Sequence, residues 1–166
     1  MSYTTYFDAF HCFYHEQPLG LSDYAAGLDR AEDVLNTLDS LGYVQAITRL
    51  RMIVAGSMAN VVSVPTCLRM ADHVRVNLEA RGHDLGADRC LARSFALAAY
   101  MWFAGVPVEL RVGATRFVSR PNAEFHAWVE YRDTPVAPYR ETRHVFAIVD
   151  SICPRISELN DVRPFF

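Results

Sequence analysis

The spacing of apolar positions divides the chain near Gly105. Before it they recur at helical intervals, and after it they alternate with polar residues. Leu28, Ala31, Leu35 and Leu38 form one helical stripe, with Ser22 and Asp23 as candidate caps and Gly42 as its stop. Val44, Ile47, Leu50, Val54 and Met58 form a second. Pro65 suits the first turn of a third helix, which carries Leu68, Ala71, Val74 and Leu78 and ends at Gly82. A loop, GHDLGADR, precedes CLARSFALAAYMWFAG. That segment predicts a helix starting near Asp88 and ending at Gly105, and its nearly continuous apolarity makes it the central buried one.

Strand periodicity follows. Val106, Val108, Leu110 and Val112 alternate with Pro107, Glu109 and Arg111. Phe125, Ala127, Val129 and Tyr131 alternate with His126, Trp128 and Glu130. Val145, Ala147 and Val149 alternate with Phe146, Ile148 and Asp150. Three half-buried strands predict an antiparallel sheet, and helices followed by strands predict an α+β fold. Residues 1–84 read as a helical N-terminal region and 85–166 as the core, together one compact unit.

Composition narrows the function classes. The 166 residues, 51% hydrophobic and 21% charged, have ordinary globular composition. A net charge of −3 gives no sign of a nucleic-acid or membrane surface. All 16 basic residues are Arg. The absence of Lys excludes Schiff-base chemistry and a phosphate-binding P-loop. The N-terminus lacks a secretory pattern and no apolar run is long enough to span a bilayer, so the simplest compartment is the cytosol, where disulfides are rare. Cys12, Cys67, Cys90 and Cys153 form no CxxC pair. His11 and His15 are spaced as HxxxH but without a helical pattern, so no metal site and no cofactor is expected.

Cys90 stands where the loop becomes the central helix. Unsatisfied N–H groups and the positive end of the helix dipole stabilise a thiolate in such a place. The plainer alternative is a small buried hydrophobe. A His on a later strand is the base that cysteine acyl-transfer enzymes use, and His126 occupies such a strand. Asp150 is the candidate to hold the other ring nitrogen. Pairing of the last two strands as a hairpin would set it beside His126. Asp133, in the connecting loop, competes with it.

The run DRCLARSFALAAYMWFAGVPVELRVGA, then FHAWVEY, then a strand ending in Asp, resembles the transglutaminase-like cysteine proteases of lasso-peptide biosynthesis. The shared positions are Cys90, Leu91, Arg93, Ser94, Ala96, Leu97 and Gly105, then His126, Ala127, Trp128, Val129 and Glu130. The resemblance covers residues 88–152. It implies a papain-like, transglutaminase-type core and a peptidase that removes the leader from a lasso precursor. Cys90 would be nucleophile, His126 base and then acid, and Asp150 orienter. The implied partners are the precursor peptide, a separate leader-recognition protein and a lasso cyclase. The connection TPVAPYRETRH departs from the pattern by delaying the final Asp.

Four further residues are candidate substrate contacts: Arg93, Ser94, Trp128 and Glu130. Arg93 could equally tether its helix to Asp88 or Glu130, and Trp128 could fill the core. The aromatic segment from Tyr3 to His15 is either a leader-binding remnant or core packing. Two other functions stay open: a different transglutaminase-like protease or acyltransferase, and a non-catalytic peptide-binding module.

Overall fold

The computed structural model describes residues 21–53, 62–86, 88–116, 124–137 and 145–154. Among the described residues four helices come first, α1 (Leu21–Leu41), α2 (Tyr43–Arg51), α3 (Val64–Ala80) and α4 (Cys90–Phe103). Four strands follow: β1 (Glu109–Thr115), β2 (Phe125–Tyr131), β3 (Thr134–Ala137) and β4 (Phe146–Ile152). The fold is therefore α+β, with an antiparallel sheet in the order β3-β2-β1-β4. Among the described residues, no helix is long and apolar enough to cross a membrane.

Local chemistry accounts for most boundaries. Gly42 separates α1 from α2 with φ +84°, a left-handed turn that a side chain would strain. Ser22 and Asp23, the candidate caps, are the second and third residues of α1. α2 stops at Arg51, and the stripe positions Val54 and Met58 lie outside the described residues. Ser63 caps α3 by accepting from the Thr66 amide, with Pro65 in the first turn.

The sheet differs from the sequence reading in three places. β1 begins at Glu109, not Val106. Pro107 cannot donate to a ladder, and the Val108 carbonyl is taken by the Trp102 indole N–H at 2.8 Å. A fourth strand, β3, follows β2 through the two-residue turn Arg132–Asp133, where both residues have positive φ, 49° and 62°. Turns of that hand match the twist of the flanking strands. Finally, β2 and β4 do not pair; β1 lies between them.

One apolar cluster joins both halves of the chain. α4 lies at its centre, with Phe95, Tyr100, Met101 and Trp102 buried. Leu28, Val34 and Leu35 reach it from α1, and Met70, Val74 and Leu78 from α3. Leu110, Val129, Tyr131 and Ile152 reach it from the sheet. Apolarity all round α4 is what a helix enclosed on every side requires.

Candidate active site

Cys90 is the first residue of α4 and half-buried. Arg89 at the N-cap gives no side-chain hydrogen bond to the first turn, in contrast to Ser63 on α3. The first-turn amides beside Cys90 are thus without a side-chain cap. Arg89 instead pairs with Asp39 on α1 at 2.7 Å, which ties the start of α4 to the helical half. Of the other thiols, Cys67 is buried and its pKa is pushed up to about 11, chiefly by desolvation. Cys153 is exposed, and Cys12 lies outside the described residues.

His126 sits second on β2. Side chains of directly paired antiparallel residues share a face, and successive residues alternate. Gly113 pairs with His126, and Arg111 with Trp128, so Arg111, Gly113, His126, Trp128 and Glu130 share one face. The contacts agree. The His126 ring stacks on Phe146 at 5.0 Å and on Trp128 at 6.2 Å. The Trp128 indole donates to Glu130 Oε1 at 2.8 Å, and Arg111 Nε donates to Glu130 Oε2 at 3.1 Å. Burial, and then the charge of Arg93, lower the His126 pKa below its ordinary 6.5, favouring a neutral imidazole. Arg93 lies one turn beyond Cys90 on α4, so a charged side chain of that helix acts on His126.

Asp150 is placed elsewhere. It pairs with Val112, whose side chain faces opposite to Gly113, so Asp150 and His126 lie on opposite faces of the sheet. The Tyr43 hydroxyl donates to Asp150 Oδ2 at 2.9 Å, and the Ser151 amide donates to Oδ1 at 2.8 Å. Tyr43, the first residue of α2, also packs edge-on against Phe95 of α4. Its own pKa is pushed up to about 12, first by burial and then by the Asp150 bond. Asp150 thus fastens the helical half to β4. The expected juxtaposition with His126 rested on a β2–β4 hairpin and unbroken alternation along β4; β1 intervenes, and a register shift at Val112/Gly113 puts Asp150 on the face opposite Phe146 and Ile148. Asp133 is no substitute: it occupies the exposed turn after β2, and His126 to Tyr131 alone spans about 17 Å of strand.

The candidate substrate contacts are mostly interior. Ser94, Trp128 and Glu130 are buried, with Trp128 at 0% and Glu130 at 2% exposure. Both Glu130 oxygens are engaged within the sheet, by Trp128 and Arg111. Arg111, not among the candidates from sequence, pairs with Glu130 and with Glu109 as well. A signal was present, since Arg111 and Glu130 are charged residues at the alternating positions of facing strands. Arg93 remains partly exposed beside His126. His11, His15 and the Tyr3–His15 segment lie outside the described residues. Among the described residues, no three or more His, Cys, Asp or Glu side chains group as a metal site.

No curated protein and no solved structure matches the chain significantly. Residues 84–151, which run from the loop before α4 to β4 and include both Cys90 and His126, match the family model of the transglutaminase-like superfamily.

Proposed function

We propose that the chain is a cysteine-dependent peptidase or acyltransferase, and that its substrate is a peptide cleaved at one bond. The observation that carries this reading is Cys90 at the first position of the buried helix, where the N-cap Arg89 makes no side-chain cap bond, together with His126, which feels the charge of Arg93 on that helix, inside the segment that matches the superfamily. Members of that superfamily are usually cysteine-dependent enzymes. In the proposed reaction the Cys90 sulfur attacks the scissile carbonyl carbon and the C–N bond breaks. His126 passes the thiol proton to the departing amine. Water, losing a proton to His126, then releases the acid and restores the thiol. First-turn amides of α4 would receive the oxyanion. Nucleophile and base are often held apart until substrate arrives.

The finer reading is a leader peptidase acting on a lasso precursor. Its support is the sequence resemblance, Cys-Leu-x-Arg-Ser-x-Ala-Leu followed by His-Ala-Trp-Val-Glu. A partner that binds leader and protease together would raise the local concentration of the scissile bond. Mass spectrometry of a precursor peptide, with and without a leader-binding protein, tests it. Slow cleavage by the chain alone, faster cleavage with the partner, and none with Cys90→Ala are expected. His126→Ala should cost about 10³-fold or more. Undiminished cleavage by Cys90→Ala refutes the assignment.

One observation favours a non-catalytic peptide-binding module instead: Asp150 is committed to Tyr43 rather than to His126. For such a module, peptide binding would survive Cys90→Ala and no covalent acyl adduct would form on the wild-type chain.

A further inference from the structure

The buried carboxylate nearest to His126 along its own face is that of Glu130, and it reaches the imidazole through one intermediate. Trp128 and Glu130 are same-face neighbours on β2, two residues apart, as are His126 and Trp128. The indole N–H is held by Glu130, which fixes the plane of the Trp128 ring. That ring lies nearly parallel to the His126 ring, 17° from it, while Phe146 stacks at 25°. Below them Gly113 leaves room: an added Cβ would come within 2.9 Å of Trp128 Cη2 and Cζ3 and of Phe146 Cβ. The imidazole is therefore held among rings, one of which is tied to a carboxylate.

Glu130 is itself held. Glu109 pairs directly with it across β1 and β2, a placement that sets two carboxylates side by side. Arg111 bridges them, donating to Glu130 and pairing with Glu109, and a further bond ties Arg111 to Ser151 of β4. A buried charge with both oxygens occupied is a poor substrate contact and a rigid support.

We propose that Glu130 is a positioning residue that fixes the His126 ring through Trp128, with Arg111 keeping its carboxylate in place. This rests on the reading of His126 as the base. Charged groups near His126 are Arg93 from α4, Arg116, which donates to the carbonyl of the stacked Phe146, and, one side chain removed, Glu130, Arg111 and Glu109 from the sheet.

The test reads the His126 ring directly. Ring-¹³C-labelled histidine is followed by NMR through a pH titration, with His126→Asn assigning the resonance, in wild type, Trp128→Phe, Glu130→Gln and Glu130→Ala. Trp128→Phe and Glu130→Ala should move the His126 midpoint upward toward 6.5 and broaden its resonance. Glu130→Gln keeps an acceptor for the indole and should hold the wild-type midpoint. If Glu130→Ala does not fold, Trp128→Phe and Glu130→Gln decide alone. A folded Trp128→Phe with an unchanged His126 titration overturns the proposal, and so does a Glu130→Gln that shifts as far as Trp128→Phe. A parallel measurement tests the underlying reading separately. Site-resolved iodoacetamide alkylation of Cys90 against pH should change in His126→Ala. An unchanged alkylation profile there refutes the catalytic pairing and leaves the NMR result intact.

Discussion

Gly113→Ala should destabilise the protein although Gly113 lies in a strand, where Ala is ordinarily no worse. The added methyl would sit 2.9 Å from Phe146 Cβ and from two atoms of the Trp128 ring. None of these yields easily. Phe146 Cβ moves only with the β4 backbone, and Trp128 is fully buried with its indole N–H bonded to Glu130. Overpacking of a site that cannot relax costs about 2–3 kcal/mol. Against it, replacing glycine reduces unfolded-chain entropy and returns about 0.4–1 kcal/mol. The clash wins, with a net loss of about 1–2.5 kcal/mol, or roughly 2–10 °C in midpoint for a chain of this length. Thermal unfolding by circular dichroism reads the shift, and the near-ultraviolet spectrum should change because Trp128 is displaced. Gly86→Ala, beside the exposed Asp84 side chain, is the control and should fall within about 0.5 kcal/mol of wild type. Combining Gly113→Ala with Trp128→Phe should cost less than the sum of the two, since the smaller ring removes two of the three close contacts. A Gly113→Ala protein as stable as wild type would mean that Trp128 and Phe146 do not close over Gly113, and the described packing of His126 would fall with it.

Tyr100 is buried with a hydroxyl that has no hydrogen-bond partner among the described residues, so Tyr100→Phe should leave stability unchanged or raise it by about 1–2 kcal/mol in urea unfolding; a clear loss would reveal a bond to that oxygen. Asp150→Asn should lower the Tyr43 titration from about 12, read by phenolate absorbance, while leaving Cys90 alkylation unchanged; altered Cys90 chemistry would return Asp150 to the site. Glu32 accepts from His83 and Arg81, and these bonds, His83 first, hold its carboxyl below 4.5. A folded-state carboxyl below its unfolded value contributes stability above that value and loses it on acidification. Glu32→Gln should therefore be less stable than wild type at pH 7, with the gap closing as pH falls below 4.5; a gap constant with pH would sink the assignment.

Much of this protein was legible in the residue pattern alone. The stripe Leu28, Ala31, Leu35 marks α1, and the unbroken apolarity of CLARSFALAAYMWF marks α4 as the enclosed helix, because periodicity reports directly on which sides of an element meet water. Alternation from Phe125 to Tyr131 placed β2 to the residue, although from Ala127 to Tyr131 both of its faces are buried. The loop composition put the start of α4 near Asp88, two residues ahead of its first helical residue, Cys90. Alternation cannot tell which strands are neighbours. That β1 lies between β2 and β4, and that a register shift at Val112/Gly113 turns Asp150 to the face opposite Phe146 and Ile148, together send Asp150 to Tyr43 and away from His126. Burial of Glu130 was hidden likewise, since a charged residue on an alternating strand reads as solvent-facing unless its partner is known. Its partner, Arg111, lies nineteen residues earlier, and only the β1–β2 register brings the guanidinium to it.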